Sequence, residues 1–218
     1  VIKTVGSPKR RFSEDALRIL RAARFASTLD FSIEDKTSES MKEHAHLLQS
    51  ISKERIFSEL NKIIAGGESL KILFDTGIAY EIFIRPGYIC QEQLIKGSYE
   101  CRLVQTFSEY PDIDAVVEEL KHLKADNKTI TMVREVLSNR DTRIHVDSIR
   151  KLLTMISYKS VSVLLEYLGY SQDYLLKIKK EGYITSINQL AISGHDIMAL
   201  GYPEDSIKDI KEFLFDKV

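Results

Sequence analysis

The sequence predicts an all-α protein made of many short helices, and three observations carry that prediction. Apolar residues recur at three- and four-residue spacing along most of the chain, the period of a helix with one buried side. Strand-like alternation is nearly absent beyond residue 5. The 10 glycines and 4 prolines among 218 residues fall mostly between the periodic stretches, where they mark breaks.

Taken in order, residues 1–5 read as an entry strand or extended arm, turned by Gly6-Ser7-Pro8. The spacing then predicts one helix from Ser13 to Leu29, with Ser13 as N-cap and Glu14 and Asp15 favoured by the helix dipole. At 100° per residue, Ala16, Leu17, Ile19, Leu20, Ala23 and Ala26 fill its apolar side, and Arg11, Glu14, Asp15, Arg18 and Arg21 share an arc opposite. Asp30-Phe31-Ser32-Ile33 is a connector, in which Asp30 suits a left-handed turn better than most non-glycine residues. A helix over 36–48 places Met41, Ala45 and Leu48 in register. Another, capped by Ser52, carries Ile56, Leu60, Ile63 and Ile64 to a stop at Gly66-Gly67. On it, Arg55 and Glu59 stand four apart, a spacing that predicts a surface ion pair.

The remainder repeats the theme. Helices are predicted over 68–76, ending at Gly77, and 99–110, with residues 78–84 closed by Arg85-Pro86-Gly87. A helix over 112–123 sets Ile113, Val116, Val117 and Leu120 on one side, and one over 127–137 sets Ile130, Val133 and Leu137. Further helices follow at 146–157, 161–168, 173–181, 184–190, 195–200 and 205–218. Breaks at Gly66-Gly67 and around 140–143 divide the chain into 1–66, 67–142 and 143–218.

Composition narrows the function classes. Hydrophobic content of 44% and charged content of 29% are those of an ordinary globular chain. No apolar run is long enough to cross a bilayer, so no membrane partner is expected. The net charge is only −1, yet residues 1–25 hold seven Lys/Arg against Glu14 and Asp15. That places an anion-facing surface at the start of a mildly acidic body. Cys90 and Cys101 do not form a CxxC metal motif and read as reduced thiols of a cytoplasmic protein. The five histidines are scattered, and His44-x-His46 lacks the three- or four-residue spacing of a helical metal pair. No metal site is expected in this chain. A small basic cluster, Lys177, Lys179 and Lys180, lies near its end.

The stretch Arg11-Phe12-Ser13-Glu14-Asp15-Ala16-Leu17-Arg18-Ile19-Leu20-Arg21-Ala22-Ala23-Arg24-Phe25 resembles the RF-x-EDxLRxxRxxRF segment of class II tRNA nucleotidyltransferases, the CCA-adding enzymes and related bacterial poly(A) polymerases. Val5-Gly6-Ser7-Pro8 is similar to the family's VGDP-like lead-in, and Asp30-Phe31-Ser32-Ile33 to its LGF-x-I segment, with Asp30 where glycine is usual. Leu47-Leu48-x-x-Ile51-Ser52-x-Glu54-Arg55-Ile56-x-x-Glu59-Leu60 resembles the next helix motif, and Ile192-Ser193-Gly194-His195-Asp196-Ile197 with Gly201 resembles the firmicute-type tail segment.

The resemblance implies a neck over 1–66, a body over 67–142 and a tRNA-binding tail over 143–218. It implies that Asp15 and Arg18 read the Watson–Crick edge of an incoming CTP or ATP with Glu14 orienting them, and that tRNA is the other partner. A carboxylate accepts from the exocyclic amino group of cytosine or adenine, and a guanidinium donates to the neighbouring ring acceptor. Uracil and guanine present a carbonyl to the carboxylate instead, a mismatch worth about 1–3 kcal/mol. At i and i+3 of one helix, Asp15 and Arg18 are expected to pre-orient each other. Arg10, Arg11, Arg21 and Arg24 are candidates for triphosphate or RNA contact. The family's catalytic head carries a GGxxRD-like turn and a DxD pair that binds Mg²⁺. This sequence contains neither together; Asp112-x-Asp114 has no glycine-rich turn before it. No catalytic residue and no cofactor site is therefore expected in this chain, the head is expected to lie outside it, and the chain is expected to be inactive alone. Poly(A) polymerase, CC-adding and A-adding activities of the same family, and a non-catalytic helical RNA- or protein-binding module, are the alternatives.

Overall fold

The computed structural model describes residues 1–91, 94, 96–180 and 187–215. Among these residues it contains fourteen α-helices and no strands or sheet, so the all-α expectation holds. The predicted entry strand is reduced to one parallel bridge between Ile2 and Ile33, closed by Ile2 N–H to the Ser32 carbonyl at 2.8 Å and Glu34 N–H to the Ile2 carbonyl at 2.9 Å. The chain forms two compact units, residues 1–140 and 141–218.

The first unit holds α1 (Pro8–Glu14), α2 (Leu17–Leu29), α3 (Asp35–His44), α4 (Lys53–Gly66), α5 (Lys71–Asp75), α6 (Ile78–Ile82), α7 (Tyr99–Thr106), α8 (Ile113–His122) and α9 (Asn127–Ser138). The single helix predicted over 13–29 is two. Pro8 opens α1 early, since proline's missing N–H costs nothing in a first turn. Ser13 is then the sixth residue of that helix, not a cap, and its hydroxyl donates to the Lys9 carbonyl at 2.9 Å. Asp15 breaks the run with an extended backbone (φ −154°, ψ 100°), and its Oδ1 accepts from Leu17 N–H at 3.2 Å. The apolar side of α2 behaves as predicted: Leu17, Ile19, Leu20, Ala23 and Ala26 are buried, as is Ala16 just before it.

α2 packs along α4, whose Ile56, Leu60, Ile63 and Ile64 are fully buried. The two helices converge at their C-terminal ends because the residues there are small. A Cβ on Gly67 would collide with Ser27 Oγ and sit 2.9 Å from the Ile63 carbonyl. Asp30 caps α2 in the left-handed region (φ 51°, ψ 45°), as its sequence context predicts. The helix expected over 36–48 ends at His44 and tightens into a 3-10 segment, Ala45–Ser50, against which α6 packs.

On α8, sequence periodicity misjudges one position. Glu119, not Val117, faces the interior, and it is fully buried. Its carboxylate accepts from Ile84 N–H (2.9 and 3.1 Å), Arg85 N–H (3.1 Å) and the Tyr110 hydroxyl (2.7 Å), which fastens the segment after α6 onto α8. Burial and the adjacent Glu119 push the Tyr110 hydroxyl well above the usual phenol range.

The second unit contains α10 (Val146–Met155), α11 (Tyr158–Tyr167), α12 (Asp173–Lys180), α13 (Gly194–Ala199) and α14 (Ile207–Phe215). Ile149, Val161, Leu164, Leu165, Leu175, Ile178 and Ile197 are buried in it. Reciprocal capping boxes start α10 (His145 with Ser148) and α13 (Ser193 with Asp196). Lys177, Lys179 and Lys180 occupy the last turn of α12, where cations suit the helix dipole. The predicted helical ends at 181, 184–186 and 216–218 lie outside the described residues.

Candidate functional site

The break at Asp15 shapes the site. Glu14 is the last residue of α1, and three guanidiniums close on its carboxylate: Arg10 Nε at 3.1 Å, Arg11 Nη1 at 3.1 Å and Arg18 Nη1 at 3.0 Å. These hydrogen bonds, Arg18's first, hold the Glu14 carboxyl down to about 2. Arg18 Nη1 also donates to the Arg11 carbonyl at 3.2 Å, and Arg11 Nε to the Val5 carbonyl at 3.0 Å. Glu14 therefore fixes the guanidinium of Arg18 from across the junction between two helices.

Asp15 sits beside this knot. Its Oδ1 is used by Leu17 N–H, and Arg55 Nη2 on α4 stands 3.9 Å away. Its Oδ2 has no hydrogen-bond partner among the described residues. Asp15 and Arg18 do not pair with each other, contrary to the i, i+3 expectation, because Asp15 lies outside the helix that carries Arg18. Each is instead held by a third residue, Glu14 for Arg18 and Arg55 for Asp15. The arrangement leaves an acceptor oxygen and guanidinium donors adjacent in sequence and only part-exposed, a pattern that complements an amide or amidine edge.

Arg21 and Arg24 turn to α4. Glu59, 4% exposed, receives Lys62 Nζ at 2.9 Å, with Arg24 Nη1 at 3.0 Å and Arg21 Nε at 3.8 Å. Arg24 meets Oε2 as an ion pair without hydrogen-bond alignment. Arg24 is thus a brace between α2 and α4, whereas Arg21 remains half-exposed beside Arg18. The surface pair predicted between Arg55 and Glu59 does not form; Arg55 faces Asp15 at the α1–α2 junction and Glu59 faces the arginines of α2. Sequence reasoning missed these two residues, although one signal was present. Glu59 lies three after Ile56 and four before Ile63, an apolar position of α4 opposite a helix with arginines three apart.

Asp112 Oδ1 is taken by Ala115 N–H at 2.7 Å as the N-cap of α8, and no three His, Cys, Asp or Glu side chains gather among the described residues. Cys90 and Cys101 are both buried and are not joined in a disulfide. No described helix is long and apolar enough to cross a membrane.

A family profile described as a probable RNA and SrmB-binding site of polymerase A matches residues 30–88, from the αL cap of α2 to just beyond α6. The CCA-adding enzyme of Anoxybacillus flavithermus is 31% identical over 227 aligned positions, covering 92% of this chain and 53% of that protein. The CCA-adding enzyme of Lactococcus lactis subsp. cremoris is 61% identical over 67 residues, 31% of this chain and 17% of that protein. The chain thus spans about half the length of the first relative and under a fifth of the second. A crystal structure of the Bacillus stearothermophilus CCA-adding enzyme in complex with CTP superposes with a TM-score of 0.74 at 21% identity, over 99% of this chain and 61% of that one. The Thermotoga maritima CCA-adding enzyme complexed with tRNA gives 0.58 at 20% identity, over 96% and 58%. The fold is therefore the helical fold found in tRNA nucleotidyltransferases. The chain belongs to the CCA-adding enzyme family and matches the C-terminal portion of its members.

Proposed function

We propose that this chain is the nucleotide-selecting and tRNA-binding part of an enzyme that adds C and A, from CTP and ATP, to tRNA 3′ ends. The observation that carries the reading is the locked arrangement at the α1–α2 junction, where Glu14 holds Arg18 and Arg55 faces Asp15. Asp15 Oδ2 accepts from the exocyclic amino group of cytosine or adenine, and Arg18 donates to the neighbouring ring acceptor. Preorganisation matters because the two side chains then lose little freedom when the base arrives. The exposed Arg10 and the half-exposed Arg11 and Arg21 are the cations nearest this edge for phosphate contact. The second unit contributes tRNA contact through the segment around α13 and the lysines of α12.

The transfer step, with the divalent ion it needs, belongs in this reading to a catalytic head outside these 218 residues, so the chain alone is inactive. A second reading, an A-only polymerase of the same family, draws on the description of the profile matching 30–88; incorporation of CTP separates the two. To test the reading, the chain is fused to a family head and incorporation of the four nucleotides is measured. Asp15→Ala and Arg18→Ala abolish the preference for CTP and ATP; an unchanged preference refutes the assignment.

A further inference from the structure

Beyond the Asp15–Arg18 edge, the exposed side of α2 carries a feature that base reading does not use. Arg18, Arg21, Phe25 and Leu29 follow one another at three- and four-residue steps and so form one stripe down the helix. Phe25 is a large aromatic left 45% exposed on that stripe. The guanidinium carbon of Arg24 lies 4.4 Å from the ring centroid, and Arg24 is itself tied to buried Glu59. The ring is thus backed by a fixed cation on one side, and cations of Arg18, Arg21, Arg55 and Lys62 stand half-exposed around the same helix pair. Arg21 and Lys62 are paired with Glu59, Arg18 with Glu14 and Arg55 with Asp15, yet each of the four keeps about half of its side chain open to a phosphate. A ring with cations around it matches a nucleobase with its phosphates, since stacking serves the base and the guanidiniums serve the backbone.

We propose that Phe25 is a stacking platform for an unpaired base of bound single-stranded RNA, with Arg21 contacting the backbone phosphate of the stretch that runs from that base toward the nucleotide read by Asp15 and Arg18. The proposal extends the base-reading assignment along the same helix. Distance selects a strand over a mononucleotide. Seven residues separate Arg18 from Phe25, about 10 Å along the helix axis. That exceeds the reach of one base but matches two or three stacked nucleotides at roughly 3.4 Å each.

The 218-residue chain contains no tryptophan, which makes the test direct. The probe is a short, unpaired, fluorescently labelled oligoribonucleotide ending in two cytidines, with free CTP as the second ligand. Phe25→Ala weakens oligoribonucleotide binding about 5- to 150-fold and leaves the CTP-induced NMR shifts of the Arg18 side-chain N–H groups and the Leu17 N–H as in the wild type. Phe25→Trp binds at least as well, and its fluorescence is quenched with the same midpoint as binding. The inference is overturned if the wild-type chain does not bind the oligoribonucleotide, or if Phe25→Ala binds it as the wild type does, as it would were the ring covered by another polypeptide. An unquenched Phe25→Trp at saturation overturns it equally. Failure of the base-reading assignment registers separately, as an unresponsive Arg18 in a chain that still quenches Phe25→Trp.

Discussion

Replacing Glu59 by glutamine removes a buried charge while keeping its shape, and the structure sets the cost. The carboxylate serves Lys62 at 2.9 Å, Arg24 at 3.0 Å and Arg21 at 3.8 Å. Stranding one member of a fully buried ion pair costs about 3–5 kcal/mol. That figure is an upper bound here, because Arg21 and Lys62 are half-exposed and regain water, which reduces their share to about 0–1 kcal/mol each. Arg24, at 19% side-chain exposure, is the partner left stranded, which costs the desolvation of a largely buried group, about 1–3 kcal/mol. The net expectation is a loss of about 2–3 kcal/mol. For a chain of this size each kcal/mol moves the melting midpoint by about 2–4 °C, so thermal denaturation followed by circular dichroism falls by about 5–10 °C. An unchanged midpoint would refute the brace and, with it, the claim that Glu59 fixes α2 against α4.

Two further outcomes follow from the same kind of accounting. Glu119→Ala strands the N–H groups of Ile84 and Arg85, at about 1–3 kcal/mol each, while the Tyr110 hydroxyl keeps the Arg85 carbonyl at 3.3 Å, so urea unfolding shows a loss of about 2 kcal/mol or more; a loss under about 1 kcal/mol contradicts the clamp. Glu14, held from the ordinary 4.5 down to about 2, contributes stability that is complete above about pH 4.5 and is lost as the pH falls toward 2. A carboxyl titration by NMR is expected to centre near 2 and to move up in Arg18→Ala; a midpoint of 4.5 in the wild type would mean the three arginines do not engage it.

Much of the fold was legible because burial follows helical period. Ile19, Leu20, Ala23, Leu60 and Ile63 are where the 3.6-residue pattern puts them, and Asp30 takes the left-handed cap its place predicts. Boundaries and polar partners were less legible. Ser13 looks like a cap, but Pro8 starts the helix sooner and Asp15 ends it, and two competing local signals five to seven residues apart cannot be ranked by propensity alone. The sequence predicts Glu59 in a surface pair with Arg55 and attaches no role to Glu119. Their burial depends on donors brought by distant segments, Arg21 and Arg24 in one case and the 84–85 backbone in the other, and such pairings are tertiary. The candidate site follows the same division. Glu14, Asp15 and Arg18 are candidates that the sequence itself proposes, whereas the placement of Arg55 near Asp15 and of Glu59 between α2 and α4 emerges only with the packing of α4.

The central claim is that Asp15 and Arg18 read the base, and NMR of the chain labelled at arginine and leucine tests it most directly. Two resonances report on the site: the Arg18 side-chain N–H groups, and the Leu17 N–H that donates to Asp15 Oδ1 at 3.2 Å. Titration with CTP or ATP shifts both, while UTP and GTP at the same concentrations leave them in place. Equal shifts with all four nucleotides, or shifts confined to arginines other than Arg18, would contradict the account.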